Sequence, residues 1–142
     1  MALVKKPFIQ RADVIEEFNA WTRNEFLCRP DMTGAEKLLM VRATMKPGGG
    51  HPFHVHPHRE EIIHVVEGRA EQWVGDEYRL LEPGEIAFIP AGVPHATFNP
   101  FDTTLVFHAI LSPAKLDSAQ ELDDDPLDVS NVEPWKSLRG IS

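Results

Sequence analysis

Proline and glycine divide the middle of this chain into short segments, and that pattern restricts the fold more than any other feature. Twelve prolines and nine glycines occur among the 142 residues. Turn-forming residues recur about every eight to twelve positions, a spacing typical of an all-β sandwich or barrel. Strands are predicted at residues 38–45, 61–68, 85–90 and 104–111. Gly75 and Asp76 form the predicted turn of one further hairpin.

Length and composition are those of a single globular domain. At 16.0 kDa, with 42% hydrophobic and 25% charged residues, the chain can bury a core without disulfide or metal support. Cys28 is the only cysteine, so no disulfide can form within the chain.

Charge and hydropathy narrow the range of partners and compartments. The formal net charge is −8 at pH 7, and an acidic surface repels nucleic acid and anionic lipid head groups. No apolar run approaches the roughly 20 residues of a membrane span, and the first residues lack the apolar region of a signal peptide. We therefore expect a cytoplasmic protein that binds neither nucleic acid nor membranes.

Histidine is concentrated in the stretch GGGHPFHVHPHREEIIHVVEG, residues 48–68. Side chains alternate along a strand, so His54 and His56 project to the same face if this segment is extended. Glu61 follows after a turn, where strand pairing could return its carboxylate to the same pocket. His95, directly after the turn sequence PAGVP, is a fourth candidate. Imidazole and carboxylate groups in this combination suit a divalent transition metal.

Two spaced motifs contain these four residues. The first, G(x)5HxH(x)4E(x)6G, is formed by Gly48, His54, His56, Glu61 and Gly68. The second, G(x)5PxG(x)2H(x)3N, is formed by Gly84, Pro90, Gly92, His95 and Asn99. Together they resemble the two signature motifs of the cupin superfamily, whose fold is a small antiparallel jelly-roll barrel. The resemblance covers about residues 36–112.

The resemblance implies a metal site and an assembly. The implied protein ligands are His54, His56, Glu61 and His95. They would hold one divalent transition metal per chain, which is Fe, Mn, Ni, Co, Cu or Zn, and a small molecule or water would fill the other positions. Small cupins are commonly homodimers, and sheet edges are natural surfaces for pairing. The N-terminal residues expected to cover them are Phe8, Phe18 and Trp21.

The flanks differ from the motif region. We expect one cupin domain over residues 1–112, with a motif core at 36–112 and an N-terminal extension at 1–35. Residues 13–21 are compatible with either helix or strand. Residues 113–142 form an acidic C-terminal tail, packed or partly flexible. The apolar residues able to dock it on the barrel or on a second subunit are Val132, Trp135 and Leu138.

Other side chains are candidates for contacts around the metal. Side chains alternate along a strand, and this alternation predicts that five residues face the cavity. They are Ile63, Val65, Ala70, Gln72 and Val74. The amide of Gln72 then either holds a coordinated water or substrate or makes a purely structural hydrogen bond. His51 and His58 lie on the loop beside the first motif, where each has either a rim or surface role or a contact with substrate, and the first is favoured.

The remaining histidines and three phenylalanines also have expected positions. His64 is expected outside the barrel, and the direction of His108 stays open. Phe88, Phe98 and Phe107 are expected in the apolar wall or the core.

A site with three histidines, one carboxylate and open positions supports more than one function. The first is a metal-dependent oxidoreductase, similar to a dioxygenase, acting on a small oxygenated organic substrate. The alternatives are a metal-dependent isomerase or lyase acting on a sugar or small acid, and a non-enzymatic module that binds a small ligand. Neither a GxSxG elbow nor a P-loop is present, which argues against covalent hydrolases and nucleotidases.

Overall fold

The computed structural model describes residues 6–139, in which short strands pair into two antiparallel sheets. The strands are β1 (Ile15–Phe18), β2 (Thr22–Cys28), β3 (Leu39–Met45), β4 (Gly50–Val55), β5 (Glu60–Glu67), β6 (Ala70–Val74), β7 (Glu77–Leu81), β8 (Ile86–Ile89), β9 (His95–Phe98), β10 (Leu105–Ser112) and β11 (Leu127–Asp128). The helical pieces are α1 (Pro30–Thr33), α2 (Trp135–Leu138) and two 3-10 turns, Arg11–Asp13 and Gln120–Leu122. Within the described residues, no helix is long and apolar enough to cross a membrane.

The order of the strands is that of a jelly roll. One sheet has six strands in the order β1-β2-β3-β10-β5-β8, and the other has five in the order β11-β4-β9-β6-β7. From β3 to β10 the chain passes repeatedly from one sheet to the other, so consecutive motif residues line the space between them. The all-β prediction is confirmed, with the two sheets facing each other and not closed into a continuous barrel.

The predicted strands correspond to β3, β5, β8 and β10, and the predicted hairpin is β6–β7, with Gly75 at a φ of 62°. The N-terminal extension, where helix and strand were both open, forms the hairpin β1–β2 after a 3-10 turn. Because β2 pairs with β3, this hairpin enlarges the six-stranded sheet.

The main core lies between the sheets. Its most buried members are Met45, Val65, Ala70, Ile89 and Leu105. Ile63 belongs to the same cluster, and Val74 packs against it, so the predicted inward face of β5 and β6 is confirmed.

The C-terminal segment covers the outer face of the five-stranded sheet. Phe53 and Trp73 form a second cluster with Ala96, and Trp135 and Leu138 pack against it. The tail therefore docks on its own sheet. Val132, the third residue considered for docking, is 52% exposed.

Of the three phenylalanines expected in the apolar wall or the core, only Phe88 lies elsewhere. Phe107 is buried in the main core, as expected. Phe88 is 50% exposed, because its neighbours Ala87 and Ile89 take the inward positions of β8. Phe98 packs against the outer cluster beneath the tail.

The outer face of the six-stranded sheet carries two further histidines. His64 lies there, as parity predicted, and His108 lies opposite it on β10 with its ring centroid 5.8 Å away. Burial lowers the pKa of His108, and the neighbouring Arg42 and His64 lower it further.

Gly68 occupies a position that only glycine can fill. Its φ is +78°, and a Cβ placed there would lie 2.3 Å from the carbonyl oxygen of Thr104. This close approach allows the chain to leave β5 for the other sheet.

Candidate metal centre

Four side chains from three strands converge in the space between the sheets. His54 in β4 pairs with His95 in β9, His56 directly follows β4, and Glu61 lies near the start of β5 in the opposite sheet. One potential ligand atom from each of these residues lies within 4.8 Å of all the others. All four residues are at most 9% exposed, so their polar atoms need partners inside the protein.

The hydrogen bonds at Nδ1 determine the tautomer of each imidazole. His54 Nδ1 lies 2.7 Å from the carbonyl oxygen of Pro52, and His95 Nδ1 lies 2.9 Å from that of Val93. His56 Nδ1 lies 2.7 Å from Asp125 Oδ1. Carbonyl and carboxylate oxygens only accept, so each Nδ1 carries the proton and each Nε2 keeps a free lone pair.

Two atoms of these four side chains are buried and lack a hydrogen-bond partner among the described residues. They are His95 Nε2 and Glu61 Oε1, which lie 2.9 Å apart. His56 Nε2 is 3.5 Å from the same carboxylate oxygen. These three atoms are all acceptors, so they cannot form hydrogen bonds with one another. A divalent cation placed between them would accept a lone pair from each. The donor set therefore fits a metal ion.

Asp125 and Arg59 complete the surroundings of the ligands and were missed by the sequence analysis. Arg59 Nη1 donates to Asp125 Oδ1 over 2.9 Å, and the Asp125 side chain is only 6% exposed. Burial alone would raise the pKa of Asp125, but its contacts with His56 and Arg59 hold that pKa below its usual value. The only sequence signal for Asp125 was the run of three aspartates at 123–125, and such a run predicts a solvated tail.

A cavity of about 490 Å³ opens beside the four ligands. Its apolar wall includes Phe26, Val41, Ile63, Phe107, Ala109 and Leu111. Its polar residues include Asn19, Asn24, Thr97, Arg59 and Asp125. Asn19, Asn24 and Phe26 come from the N-terminal hairpin, which therefore forms part of the cavity and is not only an appendage of the sheet.

His51 lies in the wall of this cavity. Its ring stacks between Trp21, at 4.4 Å between centroids, and His54, at 3.7 Å. Burial lowers the pKa of His51 to about 4, although the Glu61 carboxylate opposes the shift. The pKa of His54 is also lowered, first by burial and then by His51 and His95. His51 is thus neutral at pH 7 and within reach of a bound molecule.

His58 and Gln72 lie outside the lining of the cavity. His58 Nε2 is 2.6 Å from Asp123 Oδ2, in a largely exposed contact. Gln72 is 2% exposed, and its amide is engaged at both ends. Thr97 Oγ1 donates to Gln72 Oε1 over 2.6 Å, while Gln72 Nε2 donates to the carbonyl oxygen of Trp73. Of this pair, Thr97 is the residue that lines the cavity.

The motif region matches a known protein family. The family model described as a cupin domain matches residues 41–111. A xanthan biosynthesis protein, XanB, of Xanthomonas campestris pv. campestris (strain B100) is 40% identical over 65 residues, which are 46% of this chain and 14% of that protein. Germin-like protein subfamily 3 member 2 of Arabidopsis thaliana is 36% identical over 72 residues, 47% of this chain and 32% of that protein. The chain thus spans less than a third of these relatives.

Solved structures resemble the chain over a larger part of its length. The structure of a predicted oxalate decarboxylase from Thermotoga maritima has a TM-score of 0.67 at 18% identity, covering 75% of this chain and 98% of that one. Similarity at this level of identity concerns the fold and leaves the chemistry to the residues of the site.

Proposed function

This chain belongs to the cupin family, and we propose that it is a metal-dependent oxidoreductase, similar to a dioxygenase, that acts on a small oxygenated organic molecule. The observation that carries the proposal is the convergence of three imidazoles and one carboxylate beside an apolar cavity of about 490 Å³. Cavities of this volume suit compact organic ligands. Diketones, thiols and phenolic compounds are the substrate classes that we favour.

His54, His56, Glu61 and His95 would hold the metal in this proposal. A redox-active divalent ion, Fe(II), Mn(II), Co(II), Ni(II) or Cu(II), supplies reaction with molecular oxygen and polarises the oxygen atoms of a substrate. Four protein ligands leave room in a coordination sphere for exogenous molecules. The fixed tautomers of the three histidines keep their Nε2 atoms ready for binding, because rotation or proton transfer would break the hydrogen bonds at Nδ1.

The cavity walls would then select and orient the substrate. The apolar lining favours a carbon skeleton with few charges, since burial of apolar surface contributes about 25 cal/mol per Å². The side-chain amides of Asn19 and Asn24 and the hydroxyl of Thr97 offer a few directed hydrogen bonds. Asn19 Oδ1 already accepts hydrogen bonds from the backbone and hydroxyl of Thr22, which fixes its orientation.

A metal-dependent isomerase or lyase acting on a small acid or sugar is the second candidate function. The observation that favours it is His51, whose imidazole lies in the cavity wall. Such a group can take up a proton from a carbon next to a polarised carbonyl.

Oxygen consumption distinguishes the two functions. The protein would be purified anaerobically, its metal content determined by elemental analysis, and its loaded form mixed with panels of diketones, thiols, phenols, sugars and small acids. Oxygen uptake that depends on both metal and substrate is expected, and it should disappear in His95→Ala. Substrate turnover without oxygen would favour the second candidate. Binding without turnover on every panel would contradict both and favour a ligand-binding module.

We also propose that the protein is a homodimer. Four apolar side chains form one row across the outer face of the six-stranded sheet, where they are paired across neighbouring strands. They are Met40, Ile110, Ile62 and Phe88. A partly exposed apolar row of this kind suits a two-fold interface between identical faces. Phe8 and Phe18 are 81% and 71% exposed and remain available for contact with a partner, whereas Trp21 lines the cavity.

A further inference from the structure

A residue from the C-terminal tail reaches the metal centre. Strand β11 pairs with β4, with Leu127 opposite Val55 and Asp128 opposite His54. This pairing brings the preceding Asp125 to the end of β4, next to His56. Asp125 borders the cavity, and its side chain is 94% buried, from an exposed fraction of 6%.

The carboxylate of Asp125 is held in a defined orientation. Its Oδ1 accepts hydrogen bonds from His56 Nδ1 at 2.7 Å and from Arg59 Nη1 at 2.9 Å. The other donors of Arg59 bind the carbonyl oxygens of Pro113 and Ala114, at 2.9 and 3.2 Å. Arg59 thus ties the start of the tail and Asp125 to the same point beside the ligands.

Asp125 also has a buried oxygen that nothing in the described part of the chain satisfies. Oδ2 is without a hydrogen-bond partner, as are Glu61 Oε1 and His95 Nε2 of the ligand set. A buried carboxylate oxygen needs a donor, and the cavity that Asp125 borders is where a bound molecule could supply one.

We propose that Asp125 is a positioning residue of the metal centre. Through Oδ1 it fixes the ring of His56 and makes Nε2 a stronger ligand, and through Oδ2 it accepts a hydrogen bond from a water or ligand in the cavity. His56 is singled out because its Nδ1 partner is a carboxylate, whereas His54 and His95 pair with backbone carbonyls. The inference rests on the metal site of the proposed function and on no particular reaction.

Metal affinity of the isolated protein tests this role. The metal-free protein would be titrated with Co(II) or Zn(II) in competition with a chelator. Asp125→Ala is expected to weaken binding about tenfold to a hundredfold, the scale observed when partners of metal ligands are lost. The matched control is Asp123→Ala, which removes the same kind of contact from His58 at the surface and should leave affinity unchanged.

A double-mutant cycle separates positioning of His56 from general support of the fold. If Asp125 acts through His56, its removal in a His56→Ala background should change affinity less than about twofold. The same fold-loss in both backgrounds would overturn the proposal. Should Asp125→Ala fail to fold, Asp125→Asn keeps the shape while removing the charge, and unchanged affinity in that variant would also overturn it.

The outcomes distinguish this inference from the proposed function. A wild-type protein that binds neither Co(II) nor Zn(II) would refute both. Wild-type affinity in Asp125→Ala would refute the role of Asp125 alone. Tight metal binding that depends on Asp125, without oxygen consumption, would support the inference and contradict the oxidoreductase.

Discussion

His95 Nε2 and Glu61 Oε1 lie 2.9 Å apart without a hydrogen bond between them. Two ligands at about 2.1 Å from a metal, on perpendicular octahedral positions, would lie about 3.0 Å apart. The separation therefore matches neighbouring ligands of one ion. Without an ion, a lone pair faces a carboxylate in a buried space, an arrangement that is unfavourable by itself. This contact therefore lowers the stability of the metal-free protein, and metal binding would relieve it.

Replacing Glu61 with glutamine should reverse that balance. The new side-chain amide can donate to His95 Nε2, so Glu61→Gln is expected to stabilise the metal-free protein by about 1–2 kcal/mol. The same change removes the anionic ligand and should weaken metal binding at least about tenfold. Thermal unfolding without metal and a metal titration measure the two effects.

The neighbouring Glu60 offers a matched control for Glu61. Glu60 precedes Glu61 in the chain and is exposed. Glu60→Gln should leave both stability and metal affinity unchanged. A Glu61→Gln protein that is less stable than the wild type without metal would contradict the unfavourable contact inferred between His95 and Glu61.

The stability of the metal-free protein should fall with pH between about 6.5 and 4. Burial lowers the folded-state pKa of His51 to about 4, while an unfolded histidine titrates near about 6.5. In that window the unfolded chain binds a proton that the folded chain does not, so lowering the pH favours unfolding. His54, whose pKa is also lowered, adds to the slope. Denaturant unfolding across the pH range measures it.

His51→Phe provides the comparison for this pH dependence. Phenylalanine keeps an aromatic ring against Trp21 but cannot titrate, so the slope between these pH values should become shallower. An unchanged slope would mean that His51 is not the group responsible.

The cluster of three histidines and one glutamate was predictable from the sequence because its signal is local and redundant. His54 and His56 share a face through strand alternation, and Glu61 and His95 stand at fixed distances from glycines that mark the turns. The same alternation placed Val65 inside and His64 outside. Short, regular spacings of this kind are determined by strand geometry alone.

The residues that were missed depend on contacts between distant parts of the chain. Asp125 meets His56 across 69 positions, and nothing in a run of three aspartates distinguishes the buried member from the two exposed ones. Trp21 was expected at a subunit contact but stacks on His51, because the hairpin β1–β2 folds over the cavity. Phe88 was misplaced because its parity depends on where β8 begins, which turn residues fix only to within a residue or two.

Gly68 should tolerate substitution less well than Gly75, although both have positive φ. A Cβ at Gly68 would meet the carbonyl oxygen of Thr104 at 2.3 Å, whereas one at Gly75 would have no neighbour within 4 Å. Gly75→Ala is expected to lose about 1–2 kcal/mol from backbone conformation alone. Gly68→Ala adds a steric overlap and should lose more. Equal losses of unfolding free energy in the two variants would show that Thr104 can move away.

The apolar row on the outer sheet face predicts that Phe88 controls assembly. Phe88 is 50% exposed and ends the row formed with Ile62, Ile110 and Met40. In a two-fold interface each face contributes the row once, so a single charged substitution introduces two buried charges. Phe88→Arg should therefore shift the dimer to a monomer of 16.0 kDa in light scattering.

Tyr78 is a suitable control for Phe88, because it is 49% exposed but lies on β7 of the other sheet. Tyr78→Arg adds the same charge outside the proposed interface and should leave the dimer intact. Dissociation by Tyr78→Arg alone would move the interface to the five-stranded sheet. Because the four proposed metal ligands lie within one chain, Phe88→Arg should bind metal as the wild type does. A loss of metal in the monomer would mean that the second copy supports the site.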